Sequence, residues 1–421
     1  MSRDWLARAK ALTPGGASTL SKRSRAYVEG VSPVAYAQAV GSRVRDIEGR
    51  DYLDWCMALC STPLGYGHSD VVAAVGCALE EGLSSSLPSW REIPAAEALL
   101  AHIPCVQDSG MVRWVNSGTE ASEAAIRVAR RATGKSVVLS SGYHGWTSTF
   151  MAMQPFREGI PLDYDRMIAG FAFNDLPSVD RALRAHKGQV AAIFLEPTLY
   201  DAPDAGFLEG LRERATKHKA LLVYDEVVTG WRAAVGGYQA VSGVPIPDLA
   251  TFGKAIGNGF PVAALVGPGR VMAMADCISG TYCGNSCALA AVMATMAVYA
   301  EHDVCGHIAR IGQALKDGLT WALASEPSLN VSGWPWHPRV TCAGDENNAF
   351  LSRWIQGLSD RGILWQYGGA NPSLAHSLWN VAHTKVAARN ALGDILAGVP
   401  LRGLPFVPAF QRDPGAVKEM A

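Results

Sequence analysis

Short apolar runs alternate with stretches of helical periodicity between about residue 61 and about residue 300. The apolar runs predict strands at residues 112–115, 136–139, 191–195, 221–224, 249–252 and 262–266. Helical segments lie between several of them, notably at 120–131 and 207–218. This alternation predicts an α/β domain whose central, mainly parallel sheet is covered by helices on both faces. Ligands of such sheets bind beyond the carboxyl ends of the strands, so polar residues at those ends are the first candidates for a site.

The pattern is more mixed on either side of this region. Residues 1–60 predict a short helix and a hairpin over 44–54. Beyond residue 300 the elements are mixed, with loops predicted at 334–338 and 368–372. We therefore predict a large domain at 61–300, and a smaller α+β domain at 301–421 to which the N-terminal segment 1–60 contributes. The tail from about residue 403 to residue 421, rich in proline and charge, is expected to be loosely held.

Composition narrows the classes of function. A formal net charge of −1 argues against nucleic acid or an acidic membrane as the main partner, because both require a basic excess. The nine cysteines contain no Cys-x-x-Cys pair and have no histidine cluster beside them, which indicates reduced thiols and no metal site. The N-terminus lacks the apolar core of a signal peptide, and no stretch approaches the roughly 18 apolar residues of a membrane span. We therefore expect a soluble, cytoplasmic protein.

One lysine carries the strongest chemical signal. Lys254 follows the apolar run at 249–252 and stands at the mouth of a glycine-rich turn. An amine held against glycines at the end of a buried strand is poorly solvated and therefore more nucleophilic than a surface amine. Such lysines form Schiff bases with carbonyl compounds, including pyridoxal phosphate, whose pyridine nitrogen pairs with a carboxylate. Asp225, which follows the run at 221–224, is the candidate carboxylate; an ordinary surface lysine is the alternative.

A second candidate segment opens the predicted helix after the run at 112–115. Ser117, Gly118 and Thr119 are small residues at a helix start, where free backbone N–H groups and the helix dipole favour an anion. They are candidates to hold a phosphate, although an ordinary helix cap has the same sequence. The segment 279–286, rich in hydroxyl groups and glycine, precedes another apolar helix and is a weaker candidate of the same kind.

Aromatic and acidic residues follow three further apolar runs. Tyr143 and His144 lie between two glycines, a setting in which a flat ring can stack on a planar cofactor or simply fill the core. Glu196, Asp225 and Glu226 are all expected at the ligand-binding edge of the sheet. Three acids at one edge require a cationic partner, and a protonated pyridine ring is one.

In this order the segments resemble the class III (subgroup II) aminotransferases of fold type I, especially the glutamate-1-semialdehyde aminomutase branch. The likeness runs from about residue 10 to about residue 385. The matching segments are Asn116-Ser117-Gly118-Thr119-Glu120-Ala121, Tyr143-His144-Gly145, Asp225-Glu226-Val227-Val228-Thr229-Gly230-Trp231-Arg232, Thr251-Phe252-Gly253-Lys254-Ala255-Ile256-Gly257-Asn258-Gly259 and Gly280-Thr281-Tyr282.

The resemblance implies a role for each candidate. Lys254 is expected to form the Schiff base with pyridoxal 5′-phosphate and to move protons, while Asp225 keeps the pyridine nitrogen protonated. The other residues implied in cofactor binding are Ser117, Gly118, Thr119, Tyr143, His144, Glu196 and Thr281. In this family the residue at Thr281 reaches the phosphate of the neighbouring subunit, which implies a homodimer with shared active sites. Arg25 stands near the place where the aminomutases carry an arginine for the substrate carboxylate; a surface arginine is the alternative.

Two reactions remain open at this point. An aminotransferase releases an oxo product and admits a second substrate, whereas an aminomutase returns the amine to a neighbouring carbon of the same molecule. Asp201 stands where the aminomutases have an asparagine, and the segment around Asn371 lacks a glutamate that they carry. We therefore favour an aminotransferase acting on an aldehyde or ketone, with an aminomutase as the alternative. A catalytically silent protein of the same fold is disfavoured because Lys254 and Asp225 are both present.

Overall fold

The computed structural model describes residues 2–154, 157–198 and 200–409. The helices in this part of the chain are α1 (Ser2–Leu12), α2 (Met57–Cys60), α3 (Ser69–Glu81), α4 (Glu92–Leu100), α5 (Gly118–Thr133), α6 (Ser148–Met151), α7 (Leu176–Ala185), α8 (Phe207–His218), α9 (Gly269–Met272), α10 (Ser286–Glu301), α11 (Val304–Leu323), α12 (Ala349–Asp360) and α13 (Leu378–Leu396). The strands are β1 (Tyr36–Val40), β2 (Arg43–Asp46), β3 (Asp51–Asp54), β4 (Gly110–Val115), β5 (Val137–Ser141), β6 (Ile168–Gly170), β7 (Val190–Leu195), β8 (Leu221–Asp225), β9 (Leu249–Phe252), β10 (Ala263–Pro268), β11 (Leu329–Trp334), β12 (His337–Cys342) and β13 (Ile363–Leu364).

These elements form two compact units. The first contains the N-terminal residues up to Ser69 together with Asp303–Ala409, and the second contains Asp70–His302. Within the described residues, no helix is long and apolar enough to cross a membrane.

The second unit is built on a seven-stranded sheet in the order β4-β10-β9-β8-β7-β5-β6. β10 runs antiparallel to both of its neighbours, and the remaining pairs are parallel. β4 therefore points in the same direction as β5 to β9, and the carboxyl ends of these strands meet at one edge. The predicted mainly parallel sheet is confirmed, and β9 and α8 have the predicted bounds.

Burial explains why these segments form a sheet covered by helices. Every residue of β5, β7 and β10 is buried, as expected for strands packed on both faces. α5 packs across β7 to β10 through a stripe rich in small residues, including Ala121, Ala125 and Val128. Its N-terminus is closed by a capping box between Ser117 and Glu120. The start of α5 therefore lies at the edge where the parallel strands end.

The first unit holds a four-stranded sheet, β1-β2-β3-β13, and the separate hairpin β11–β12. The loop predicted at 334–338 is wrong, because Trp334 ends β11 and His337 begins β12 around a two-residue turn. The tail prediction is also wrong for residues 403–409. Phe406 belongs to the core, and the Leu404 N–H donates to the Glu29 carbonyl at 2.9 Å. The tail residues 410–421 lie outside the described residues.

α2 is a single left-handed turn. Met57, Ala58, Leu59 and Cys60 have φ angles of 44°, 49°, 58° and 62°. A left-handed backbone costs an L-residue roughly 1–2 kcal/mol, so four in succession need compensating contacts. The Tyr66 hydroxyl supplies two of these, since it accepts the Ala58 N–H at 2.8 Å and donates to the buried Asp54 carboxylate at 2.6 Å.

Replacing Tyr66 tests this support. Tyr66→Phe leaves the Ala58 N–H and one Asp54 oxygen without their partner, so we expect the free energy of unfolding to fall by about 2 kcal/mol. Urea denaturation of the two proteins measures this difference. Tyr36→Phe is the matched control, because the Tyr36 side chain is 69% exposed. Equal stability of the Tyr66 and Tyr36 variants would contradict this account of the turn.

Candidate active site

The carboxyl edge of the second unit's sheet brings together most of the predicted residues. β8 ends at Asp225, and Lys254 lies two residues beyond β9. Tyr143 and His144 follow β5, and Glu196 follows β7. The capped start of α5, with Gly118 and Thr119, follows β4. Residues far apart in the sequence are neighbours here because parallel strands all end at one edge.

Asp225 is the most strongly constrained residue of this set. It is 4% exposed, and its Oδ2 lies 2.7 Å from Nδ1 of His144, which is also buried. Its Oδ1 accepts the Val227 N–H at 3.0 Å and the Thr251 hydroxyl at 3.3 Å. Burial opposes ionisation, but these bonds and the charge of Lys254 together hold the pKa of Asp225 below its usual value. Asp225 is therefore a fixed carboxylate.

Two hydrogen bonds fix the ring of His144. Its Nε2 lies 2.9 Å from the Ser141 carbonyl oxygen, which can only accept, and its Nδ1 faces the Asp225 carboxylate. Both ring nitrogens therefore lie at hydrogen-bonding distance from an oxygen, and the two contacts fix the orientation of the ring. The sequence indicated a cofactor contact for His144, but it carried no signal for this bond, which joins residues 81 positions apart.

The start of α5 offers two backbone donors. The Glu120 carboxylate accepts the N–H groups of Asn116 at 2.6 Å and Ser117 at 2.9 Å, and the Ser117 hydroxyl accepts the Glu120 N–H. Gly118 and Thr119 come next, and their N–H groups have no carbonyl partner within the helix. The structure therefore gives Ser117 a capping role and leaves the two following residues to face an anion.

Close approach explains the glycines around this start. A Cβ on Gly118 would lie 2.9 Å from Val227, and one on Gly145, whose φ is 115°, would lie 2.7 Å from the Thr119 hydroxyl. The loop after β5 therefore packs directly against the start of α5. A larger residue at Gly145 would push these two segments apart, and one at Gly118 would press on Val227, which follows β8.

Lys254 has an uncommon backbone. Its φ of 44° lies in the left-handed region, between the extended Gly253 and Asn258, whose φ is 42°. This conformation costs about 1 kcal/mol and is typical of functional positions. The half-buried side chain is close enough to Asp225 for its charge to lower the pKa of that carboxyl.

The remaining candidates occupy different settings. Tyr143 is half-buried, and Glu196 is 8% exposed with its carboxylate beside Gly142. Thr281 is exposed in the segment that precedes α10. Arg25 belongs to the first unit, where it lies in a short 3-10 turn.

The expectation that Glu196, Asp225 and Glu226 all face one ligand is wrong for Glu226. Its carboxylate is fully buried and accepts the Thr229 hydroxyl, the Tyr238 N–H at 2.8 Å and the Gln239 N–H at 2.9 Å. A Cβ on Gly237 would lie 2.7 Å from this carboxylate. Glu226 therefore ties the chain after β8 to a returning loop, and the acids left for a ligand are Asp225 and Glu196.

The arrangement fits a planar, phosphorylated pyridine. A fixed carboxylate suits a protonated ring nitrogen, a neighbouring lysine suits a carbonyl carbon, and two free N–H groups at a helix start suit a phosphate. Within the described part of the chain, the residues Asp225, Lys254, Gly118 and Thr119 supply these three features.

Comparison with known proteins agrees with this chemistry. The sequence profile described as "Aminotransferase class-III" matches residues 26–332. Glutamate-1-semialdehyde 2,1-aminomutase of Haloquadratum walsbyi is 36% identical over 354 residues, covering 79% of this chain and 77% of that protein. The pyridoxal phosphate internal aldimine form of the FumI protein from Sphingopyxis sp. MTA144 superposes with a TM-score of 0.88 at 25% identity, covering 96% and 98% of the two chains. An omega-transaminase from Sphaerobacter thermophilus superposes with a TM-score of 0.84 at 27% identity, covering 93% and 97%.

Glu226 gives the apoprotein a defined pH dependence. Burial raises the pKa of Glu226 from 4.5 to about 7, despite the hydrogen bonds it accepts. A carboxyl whose folded pKa is raised contributes stability that is complete below about pH 4.5 and is lost as the pH rises to about 7. We expect this loss to approach about 3 kcal/mol, since one pKa unit corresponds to about 1.4 kcal/mol.

Denaturation of the apoprotein between pH 4.5 and pH 7.5 measures this slope. Glu226→Gln should show a shallower fall in the free energy of unfolding than the unmodified protein, even if its absolute stability is lower. Glu80→Gln is the control, because Glu80 is exposed on α3. Identical slopes in Glu226→Gln and the unmodified protein would rule out this assignment.

Proposed function

The chain belongs to the class-III aminotransferases, and from this membership we propose that it transfers an amino group from an amino donor to an aldehyde or ketone acceptor. Pyridoxal 5′-phosphate is its cofactor. The observation that carries the proposal is the buried Asp225–His144 pair beside Lys254. When bound, the cofactor supplies an electron sink next to the carbon that exchanges its amine.

Asp225 and His144 form the part of the site that would hold the ring of the cofactor. The Asp225 carboxylate would pair with the pyridine nitrogen and keep it protonated, and the bond between Oδ2 and His144 Nδ1 stabilises the negative charge in a buried setting. The Ser141 carbonyl fixes the ring of His144 through Nε2. Because these partners are rigid before any ligand arrives, little free energy is spent on orienting them during the reaction.

Lys254 is the proposed nucleophile and proton carrier. Its Nζ would hold the cofactor through a covalent bond and give up that bond when the substrate's amine takes its place, and the freed Nζ would then take a proton from one carbon and deliver it to another. Gly118 and Thr119 hold the phosphate through their N–H groups. Tyr143 is proposed to stack on the ring, with Glu196 close to it.

The segment around Asn371 supports transfer between two substrates over transfer within one. The Asn371 side chain is buried, with Oδ1 2.9 Å from His337 Nδ1 and Nδ2 donating to the Cys56 carbonyl at 3.1 Å. The backbone N–H of Asn371 donates to the Trp55 carbonyl at 2.7 Å. Asn371 thus joins separate segments of the first unit. The resemblance to the aminomutases leads us to expect a glutamate near this position, and this chain lacks it.

The alternative is an intramolecular amine transfer. It is supported by the 36% identity to a glutamate-1-semialdehyde 2,1-aminomutase. Both reactions use the same lysine and aspartate. Arg25 remains our candidate for binding a substrate carboxylate in either case, since its half-buried Nε has no hydrogen-bond partner among the described residues.

We further propose a homodimer in which Thr281 reaches the cofactor phosphate of the partner subunit. Exposed apolar side chains on the second unit support self-association, because monomeric surfaces seldom display many large apolar groups together. Among the described residues of this unit, the large apolar side chains that are more than half exposed are Val72, Leu79, Leu87, Trp90, Ile93, Trp146, Leu162 and Tyr282.

Borohydride labelling tests the role of Lys254. Protein purified with pyridoxal 5′-phosphate should be yellow and lose that colour on reduction, with the added mass on the peptide that contains Lys254. Lys254→Ala should lack the covalent label, whereas Lys187→Ala, which changes an exposed lysine, should keep it. A label on any other lysine would refute the assignment.

An isotope experiment separates the two reactions. With a ¹⁵N-labelled amino donor and an unlabelled carbonyl acceptor, a transferase places ¹⁵N in the acceptor and releases the donor's oxo product. A mutase keeps the ¹⁵N in the molecule that carried it, at a neighbouring carbon. Mass spectrometry of the products over a panel of donors and acceptors decides the point, and isomerisation without exchange would overturn our first choice.

A further inference from the structure

The segment that carries Thr281 is anchored to α10. The Cys283 N–H donates to the Gly280 carbonyl at 3.1 Å, which closes a turn around Thr281 and Tyr282. Asn285 then joins this turn to the helix. Its Nδ2 donates to the Tyr282 carbonyl at 3.0 Å, and its Oδ1 accepts the Ala288 N–H at 2.9 Å. The position of Thr281 therefore depends on the position of the first turn of α10.

That first turn is held by a second segment of the same unit. The Ser286 N–H donates to the Leu83 carbonyl at 3.1 Å, and the Ser286 hydroxyl lies 3.0 Å from the Ser89 hydroxyl. The Ser89 hydroxyl also accepts the Arg91 N–H at 3.3 Å, so its own hydrogen is available for Ser286. Ser89 thus links the start of α10 to the backbone that leads into α4.

The segment around Ser89 is itself rigidly held. The Arg91 side chain is 8% exposed and forms two hydrogen bonds to the Glu81 carboxylate, at 2.8 and 3.0 Å. Its guanidinium also lies 4.5 Å from the centre of the Trp90 ring. On the other side, Gly284 has a φ of 72°, and a Cβ there would lie 2.7 Å from the Glu92 carboxylate. The two segments are packed too closely to move independently.

We propose that Ser89 is a positioning residue for the cofactor site of the partner subunit, acting through Ser286 on Thr281. This inference rests on the proposed function, in which Thr281 serves the partner's phosphate. The face concerned supports a partner, since Leu87, Trp90 and Tyr282 are 76%, 63% and 60% exposed around the braced segments. Ser89 acts without contacting the cofactor, by fixing the position of Thr281.

The rate of cofactor release measures this role. Ser89→Ala should release pyridoxal 5′-phosphate about three- to tenfold faster than the unmodified dimer, the effect of one lost hydrogen bond. Ser89→Thr, which keeps a hydroxyl, should restore the slow rate. Ser85→Ala is the control, because among the described residues the Ser85 hydroxyl bonds only to the N–H and carbonyl of Leu87, in the same loop. An unchanged rate in Ser89→Ala, or fast release in Ser85→Ala as well, would overturn the proposal.

Mixed dimers show in which subunit Ser89 acts. Two differently tagged chains are co-expressed, and the visible absorbance of the cofactor joined to Lys254 is followed during release. When Ser89→Ala and Lys254→Ala are on separate chains, the intact lysine receives a normal Thr281 segment and release should be slow. When both changes are on one chain paired with an unmodified chain, release should be fast. The reverse result would show that Ser89 acts within its own subunit and would refute the inference.

A third variant separates this inference from the proposed function. Thr281→Ala should itself speed release, and sedimentation should show a dimer. A monomer, or a normal rate in Thr281→Ala, would count against the shared site itself. A dimer with fast release in Thr281→Ala and a normal rate in Ser89→Ala would count against Ser89 alone.

Discussion

The hydrogen bond between Asp225 and His144 is the interaction on which the site depends. A carboxylate with 4% exposure is costly unless its charge is matched, and the 2.7 Å bond to an imidazole provides the match. The imidazole in turn needs the Ser141 carbonyl at the end of β5. The ends of β5 and β8 are thereby joined through side chains across the intervening β7.

Hydrogen bonds also fix the backbone on either side of this pair. The start of α5 is closed by its own Glu120, so the N–H groups of Asn116 and Ser117 are already satisfied and only those of the next two residues remain. Glu226 binds the returning loop and leaves Asp225 as the ligand-facing acid of the pair. Asn116, Ser117 and Glu226 thus have defined partners, which leaves Asp225 and the first N–H groups of α5 for the ligand.

Much of the second unit could be predicted from the sequence, because its signals are local. Apolar runs bounded by turn residues predicted the strands of the sheet, and the bounds of β9 and α8 were correct. The three-residue edge strand β6 was missed because so short a run is not distinguishable from a loop. In the hairpin β11–β12, the sequence predicts a loop at 334–338, although Pro338 pairs with Gly333 in the ladder.

The residues of the site could be predicted from the sequence, but the hydrogen bonds between them could not. Lys254 and Asp225 stand out because each ends an apolar run, and the resemblance to a family added their roles. The partners of His144 and Glu226 were not predictable, since they depend on contacts between distant segments. Glu226 follows Asp225 directly in sequence, yet its carboxylate faces a loop twelve residues later.

The left-handed turn at Met57–Cys60 has a consequence for how this chain encodes its shape. Nothing in the chirality of its residues selects that hand, since L-residues favour the opposite one. Packing selects it: Met57 and Cys60 are buried, whereas Ala58 and Leu59 are half-buried. A right-handed turn over the same residues would point these four side chains in different directions. The surrounding residues therefore determine the hand of this turn. The left-handed form would be lost if those residues changed, even with the sequence of residues 57–60 unchanged.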